Sequence, residues 1–365
     1  MRRVRRRAVV LALGIATLLS GCAANAEAPG PPLTIQPAGV RVAPPIEEVP
    51  TTIGMADSDL YAQPAPAVDR AFQTMRDLGV TSVRLMVPWA GVQPAKGVYD
   101  WQLIDRMVDG AARHGLSVLA TLNATPSWAV TPGTPILSGR PRSPAEYGEF
   151  AAAAADRYRG RITAYEIWNE QNAVTFYTPR PDAAGYVALL KAAYPAIKAA
   201  DPHAVVVTGG LGALVDHTTL TIDAVKFVKG MYAAGAKGYF DGIGYHPYQY
   251  TTMFSEGGYH PDSPINQVAG IRAAMLANGD EAKKIWITEY GLPSSEGGDK
   301  LQARYVDDML TAWRRITYAG PVYLYTMRDR RTGSPRDEDT LGAYRSDGSA
   351  KPVVDVILSH TRTGN

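Results

Sequence analysis

Two glutamates stand out by where they fall. Glu170 closes the run Glu166-Ile167-Trp168-Asn169-Glu170, and Glu289 closes Ile285-Trp286-Ile287-Thr288-Glu289. Loop-forming residues follow each at once, Gln171-Asn172 in one case and Tyr290-Gly291 in the other. A single glutamate at a strand end is ordinarily a solvated loop acid. Two of them, each ending a strand in a chain of alternating strands and helices, make a pair of carboxylates on one rim, which is equipment for cleaving a glycosidic bond. In that chemistry one carboxyl begins protonated and serves as the acid, while the other begins ionised. At a separation of about 5 to 5.5 Å the ionised group attacks as nucleophile and the configuration is retained.

The elements that must hold this pair are legible as short apolar runs alternating with longer amphipathic ones, the pattern of βα units on a parallel sheet. Strands are expected at 52–56, 82–87 with Arg84 inside, 117–122, through the Glu166 motif, and at 204–208, 242–245, 285–289 and 322–326. Helices are expected at 67–78, from an N-cap at Asp100 to 114, and at 144–158, 183–199, 222–234, 264–277, 301–318 and 352–360. Eight alternations over residues 51–365 predict an α/β fold, a (β/α)8 TIM barrel in a single domain. The two glutamates are 119 residues apart, roughly 40 for each of the three intervening units, so both emerge on the same rim. With 46% hydrophobic and 20% charged residues, the 365-residue chain is ordinary globular material with room for one such barrel.

The first 50 residues read differently. Arg2, Arg3, Arg5, Arg6 and Arg7 precede an apolar run from Ala8 to Leu19 that is too short to span a bilayer as a mature helix, so residues 1–21 read as a secretory signal. Leu19-Ser20-Gly21-Cys22 resembles a bacterial lipobox. Cys22 is the single cysteine, which makes lipidation its natural use. The competing reading is cleavage after Ala24-Asn25-Ala26, releasing a soluble secreted protein; a twin-arginine signal fits poorly. Residues 22–50, with seven prolines in the 28 positions after Cys22, read as a tether. Without the five leading arginines, 32 basic residues face 35 acidic ones, which leaves no electrostatic case for nucleic acid.

Asn169-Glu170 at the end of the fourth strand and Glu289 at the end of the seventh resemble the signature of the clan A glycoside hydrolases, the retaining (β/α)8 enzymes. The likeness covers nearly all of residues 51–365. The Glu166–Glu170 run and the segment from Gly97 to Trp101 are similar to families 39 and 5, and His246-Pro247-Tyr248 matches the His-x-Tyr of family 5. The resemblance implies Glu170 as acid/base, Glu289 as nucleophile, Asn169 on the sugar 2-hydroxyl, Tyr248 orienting the nucleophile and Arg84 holding it ionised. A guanidinium beside a carboxylate favours its charged form on physical grounds too. Arg84 is equally suited to pair with Glu166, and the two roles are compatible. Two family 5 features are replaced: the histidine after strand 3, where Asn123 is the nearest polar residue, and the tryptophan after strand 8, where Tyr325 stands. Trp89 and Trp128 are candidate floors for sugar rings among the rim aromatics, which also include Phe176, Tyr177 and Tyr250. Trp168 reads as barrel core.

Other chemistries are poorly served. No His-Glu-x-x-His occurs, one cysteine cannot build a thiolate zinc site, and neither a phosphate-cradling loop nor a dinucleotide fingerprint is present. Ser294-Ser295 lacks a nucleophile-elbow context. No metal and no cofactor is expected. The expected function is a β-glycosidase, retaining as the resemblance implies, lipid-anchored outside the cytoplasm and acting on an oligo- or polysaccharide. The substrate stays open among β-glucan, xylan, mannan and a wall galactan or arabinogalactan. Loops at 172–182 and 328–339 could wall off one end of the cleft, which favours exo action. The rival reading is a carbohydrate-binding lipoprotein that keeps the barrel without turnover, for which two opposed acids would have no use.

Overall fold

The computed structural model describes residues 42–362, all within one compact unit. The expected signal segment, Cys22 and most of the expected tether lie outside the described residues. Eight parallel strands form a closed barrel: β1 Ile53–Ala56, β2 Ser82–Pro88, β3 Ser117–Asn123, β4 Ala164–Ile167, β5 Val205–Thr208, β6 Gly242–His246, β7 Lys284–Tyr290 and β8 Ala319–Tyr325. β5 resumes briefly at Leu211–Gly212, beside Tyr245 and His246 of β6. Closure comes from β1 against β8, with Ile53 opposite Val322 and Ala56 opposite Tyr325. The expected (β/α)8 barrel is the observed fold.

The helices form the outer ring: α1 Ala65–Asp77, α2 Gln102–Arg113, α3 Pro144–Arg157, α4 Ala183–Ala200, α5 Ala224–Ala233, α6 Pro264–Ala277, α7 Asp299–Trp313 and α8 Val353–Arg362. Four start on a side-chain cap that satisfies an otherwise orphaned amide: Ser143 on Glu146, Asp182 on Gly185, Asp223 on Lys226 and Ser263 on Asn266. Pro144 and Pro264 occupy the first helical position, where the missing N–H costs nothing. α2 departs from expectation. Trp101 occupies its cap position, and the Asp100 carboxylate accepts instead from the Gln102 amide at 3.0 Å. α7 ends at Trp313 rather than running to 318; residues 314–318 turn back to enter β8, which starts at Ala319.

Large side chains fill the barrel interior and glycines make room for them. A Cβ on Gly54 would come within 2.5 Å of the Tyr323 ring, and one on Gly320 within 2.9 Å of Trp286. Trp286 and Tyr323 pack with Ala56, Leu119, Ala164 and Val207 into one interior cluster, and Ile46 joins it. The domain boundary therefore lies earlier than residue 51. Ala43 donates its amide to the Gly160 carbonyl at 2.8 Å, Pro44 accepts from the Ser117 hydroxyl at 2.7 Å, and Glu48 accepts from Trp286 Nε1 at 3.3 Å. Ser117, Gly160 and Trp286 lie before their strands or within the first three residues of them, so residues 42–50 close the amino-terminal end of the barrel. They form part of the domain rather than of a tether, because the apolar Ile46 and the carbonyl of Pro44 find partners there.

Candidate active site

At the other end of the barrel, the chain twice breaks the alternation of a strand to aim an acid into the mouth. β4 ends at Ile167, after which Trp168 takes φ +75° and Glu170 φ +48°. Left-handed conformations of this kind are costly for non-glycine residues and persist only where surroundings hold them. Here Trp168 Nε1 donates to the Phe176 carbonyl at 2.8 Å, and the Glu170 amide donates to the Gly210 carbonyl at 2.9 Å. Asn172 exchanges hydrogen bonds of 2.9 and 3.0 Å with the Gly212 backbone. Trp168 is buried as expected but on the helix side of the barrel, against Tyr147 and Tyr177. In β7 the ladder to β8 slips between Ile287 and Tyr290. Such a bulge re-aims the residues inside it, and Thr288 and Glu289, neighbours in sequence, both contact groups in the mouth.

Arg84 on β2 joins the acids. Its Nε donates to Glu166 at 2.6 Å, Nη1 to Glu289 at 2.5 Å and Nη2 to the Asn169 amide oxygen at 2.7 Å. Burial works against the guanidinium's charge, but Glu166 and Glu289 more than offset it and its pKa is raised. Glu166 is also bound by the Thr121 hydroxyl at 2.6 Å and the Gly210 amide at 3.0 Å, so it anchors Arg84 from below while Arg84 holds Glu289 above. Both roles weighed for Arg84 are therefore present as contacts.

Glu289 also accepts from the Tyr248 hydroxyl at 3.1 Å. Burial disfavours its charged form, yet His246, Arg84 and Tyr248 together keep its carboxyl below the usual range. The Tyr248 phenol is pushed well up, first by burial and then by the charge of Glu289, so it stays a proton donor. His246 is fully buried between the two acids: Nδ1 lies 3.0 Å from Glu170 Oε1 and 3.9 Å from Glu289 Oε2. Its Nε2 contacts the Thr288 hydroxyl at 2.9 Å. Gly210 lets the ring in, since a Cβ there would lie 2.0 Å from Nε2. Among the described residues no cluster of histidine, cysteine and carboxylate could hold a metal ion.

The structure thus brings Glu170, Glu289, Arg84, Asn169, His246 and Tyr248 into one constellation. Tyr325 borders it: burial raises its pKa most, Arg330 opposes, and the charge of Glu289 adds to the rise. Asn123 ends β3 on the same rim, and its amide oxygen is buried without a protein partner. Trp128 is half-buried at the rim, with Nε1 donating to the Gln93 carbonyl at 2.9 Å. Trp89 cannot floor a sugar. It is 0% exposed, stacked on Phe150 at 5.5 Å, because the chain after Pro88 turns into one helical turn that swings the indole toward α3. Thr288 and Thr121 escaped the sequence reading. Strand parity with Trp286 was the available signal for Thr288, whereas Thr121 meets Glu166 only through the β3–β4 register.

Comparison with known proteins agrees with this fold. Residues 63–159 match the glycoside hydrolase family 42 model, described as beta-galactosidase. No curated protein matches the chain. Among solved structures, a family 39 glycoside hydrolase from the gut symbiont Bacteroides cellulosilyticus is similar at 23% identity and a TM-score of 0.70, over 87% of this chain and 65% of that one. A monomeric beta-xylosidase from Caulobacter crescentus is similar at 20% identity and 0.64, over 87% and 69%. A family 5 subfamily 18 protein from Bifidobacterium longum, in complex with Manβ1-4GlcNAc, is similar at 17% identity and 0.64, over 86% and 78%. The chain spans just under two thirds of the length of the first of these. The barrel is similar to those of glycoside hydrolases, and the expected resemblance to them is borne out at that level.

Proposed function

We propose that the protein is a retaining β-glycosidase, acting on an oligo- or polysaccharide through a covalent glycosyl-enzyme, with Glu289 as nucleophile and Glu170 as acid/base. The observation that carries this reading is the unequal environment of two neighbouring carboxyl groups. Glu289 is bound by a buried guanidinium and a phenol, whereas the side-chain partner of Glu170 is the His246 imidazole. One ring nitrogen lies 3.0 Å from Glu170 and 3.9 Å from Glu289, so the two acids face each other across a single side chain, the close approach that a retaining pair requires.

In the first step Glu289 attacks the anomeric carbon as Glu170 passes its proton to the glycosidic oxygen, and the leaving sugar departs neutral. Water then enters; Glu170 takes its proton as the oxygen bonds to the anomeric carbon, and the bond to Glu289 breaks. Glu170 ends protonated and Glu289 ionised, as they began. Asn169 uses its amide oxygen on Arg84, which leaves its NH2 to donate to the sugar 2-hydroxyl, a bond that strengthens as oxocarbenium character grows. The glycone classes in view are the galactoside of the matching family model, the xyloside of one structural relative and the mannoside bound by another. An extracytoplasmic, membrane-anchored enzyme is supported by the arginine-rich start, the apolar run to Leu19 and the lipobox-like Leu19-Ser20-Gly21-Cys22.

The test is turnover of aryl β-glycosides carrying glucose, mannose, xylose, galactopyranose and galactofuranose. Release from one of them, abolished in Glu289→Ala and rescued by azide in Glu170→Ala, supports both roles. A 2-deoxy-2-fluoro analogue of the active glycone should label Glu289. Labelling elsewhere, or full activity in Glu289→Ala, would refute the assignment.

A further inference from the structure

Beside the mouth lies a second cavity of about 490 Å³, between α1 and the segment following β8. Arg70 and Thr74 wall it on the helix side, and Arg328, Tyr344 and Ser346 on the other. Its charges do not cancel. Arg330 is taken up by Asp59 through two bonds of 2.8 Å. Asp329 is taken up by Lys351 at 2.7 Å, with both side chains wholly buried. The Asp57 carboxyl is pushed up to about 7, by burial and then by Asp59, so much of it carries its proton at neutral pH. Arg70 and Arg328 are exposed, and neither side chain enters an ion pair or hydrogen bond shown among the described residues. The cavity therefore offers two uncommitted guanidinium groups together with hydroxyls and a tyrosine ring.

Its position bears on catalysis. Arg330, in the cavity wall, also donates from Nη2 to the Tyr325 hydroxyl at 3.3 Å, and Tyr325 is near enough to Glu289 to feel its charge. Tyr325, which ends β8 at the rim, therefore joins the cavity wall to the border of the site. Guanidinium forks match carboxylate and phosphate oxygens, while hydroxyls and a flat ring suit the polyol body of a sugar.

We propose that this cavity binds a sugar unit bearing an anionic group, a carboxylate or a phosphate ester, next to the unit held against Glu289. Placement beside the cleaved bond rests on the glycosidase reading; binding of the acidic sugar does not. The enzyme would thereby select glycans with an acidic unit on the nucleophile side of the scissile bond.

The experiment is titration of the protein, and separately of its Glu289→Gln variant, with glucuronate, glucose 6-phosphate, glucose and inorganic phosphate, followed by calorimetry or ligand-observed NMR. Because binding is read without turnover, a wrong glycosidase assignment and a wrong cavity assignment give different results. Saturable binding of glucuronate or glucose 6-phosphate is expected in both proteins, and which of them binds names the anion. Binding should weaken about tenfold in each of Arg70→Gln and Arg328→Gln, as expected for loss of one charge-assisted hydrogen bond, and should fall with added salt. Unchanged thermal unfolding in the two variants would exclude misfolding as the cause. Equal binding of glucose would overturn the charge selectivity, equal binding of inorganic phosphate would overturn the sugar, and no binding of any probe would overturn the site.

Discussion

Arg84→Met tests whether one guanidinium both supports the fold and sets the nucleophile. The arginine is 2% exposed and bonds Glu166, Glu289 and Asn169. Methionine fills much of the volume but leaves two carboxylates without their shared cation. Breaking a buried ion pair from one side costs about 3 to 5 kcal/mol, so the urea midpoint should drop accordingly. Glu166→Gln added to Arg84→Met should recover about 1 to 3 kcal/mol, because a neutral amide can keep the Thr121 and Gly210 bonds without an unpaired charge. Catalysis should suffer separately. Loss of one hydrogen bond to a charged group is worth about 1.5 to 3 kcal/mol, or roughly 10- to 150-fold in kcat/KM. Glu289 is held below the ordinary carboxyl range against its burial, with Arg84 among the causes, so removing Arg84 must raise it and move the acid limb of the pH–rate profile to higher pH. Strict additivity of the two substitutions in stability, or an acid limb that stays in place, would refute the coupling.

Tyr248→Phe keeps the ring against His246 and Tyr290 but deletes the 3.1 Å bond to Glu289. Its kcat should fall about tenfold, its acid limb should also move up, and its urea stability at neutral pH should drop by about 1 kcal/mol. Thr288→Val removes the hydroxyl on His246 Nε2; kcat should drop about tenfold at unchanged KM, and Thr288→Ser should restore most of it. Asp57→Asn concerns stability against pH. The Asp57 carboxyl rises from 3.8 to about 7 on folding, so the folded state binds more protons across that window and stability falls as pH rises through it. Asparagine, which keeps an acceptor for the Asp59 amide, should stabilise the protein by a few kcal/mol above pH 7 and by almost nothing at pH 4. A gain independent of pH would show that the buried charge is not its origin.

Much of this protein is determined by local pattern. The period of its apolar residues, its cap residues and its punctuating prolines were enough for the eight βα units, because alternating strands and amphipathic helices must bury one face each and a parallel barrel does so with short connections. The two glutamates were legible for the same reason, as acids closing apolar strands. Tertiary structure alone decided how they point. The left-handed turn at Trp168, which swings the indole out and Asn169 onto Arg84, and the slipped register at Ile287–Tyr290 that turns Glu289 inward both override strand parity. The same holds for Trp89, which a helical turn carries into the core, and for residues 42–50, whose prolines resemble a tether until the open end of the barrel supplies partners. Thr288 is the sharpest case. Its hydroxyl matters only because His246, 42 positions away, is brought to it, and such coincidence belongs to the closed barrel rather than to any stretch of sequence.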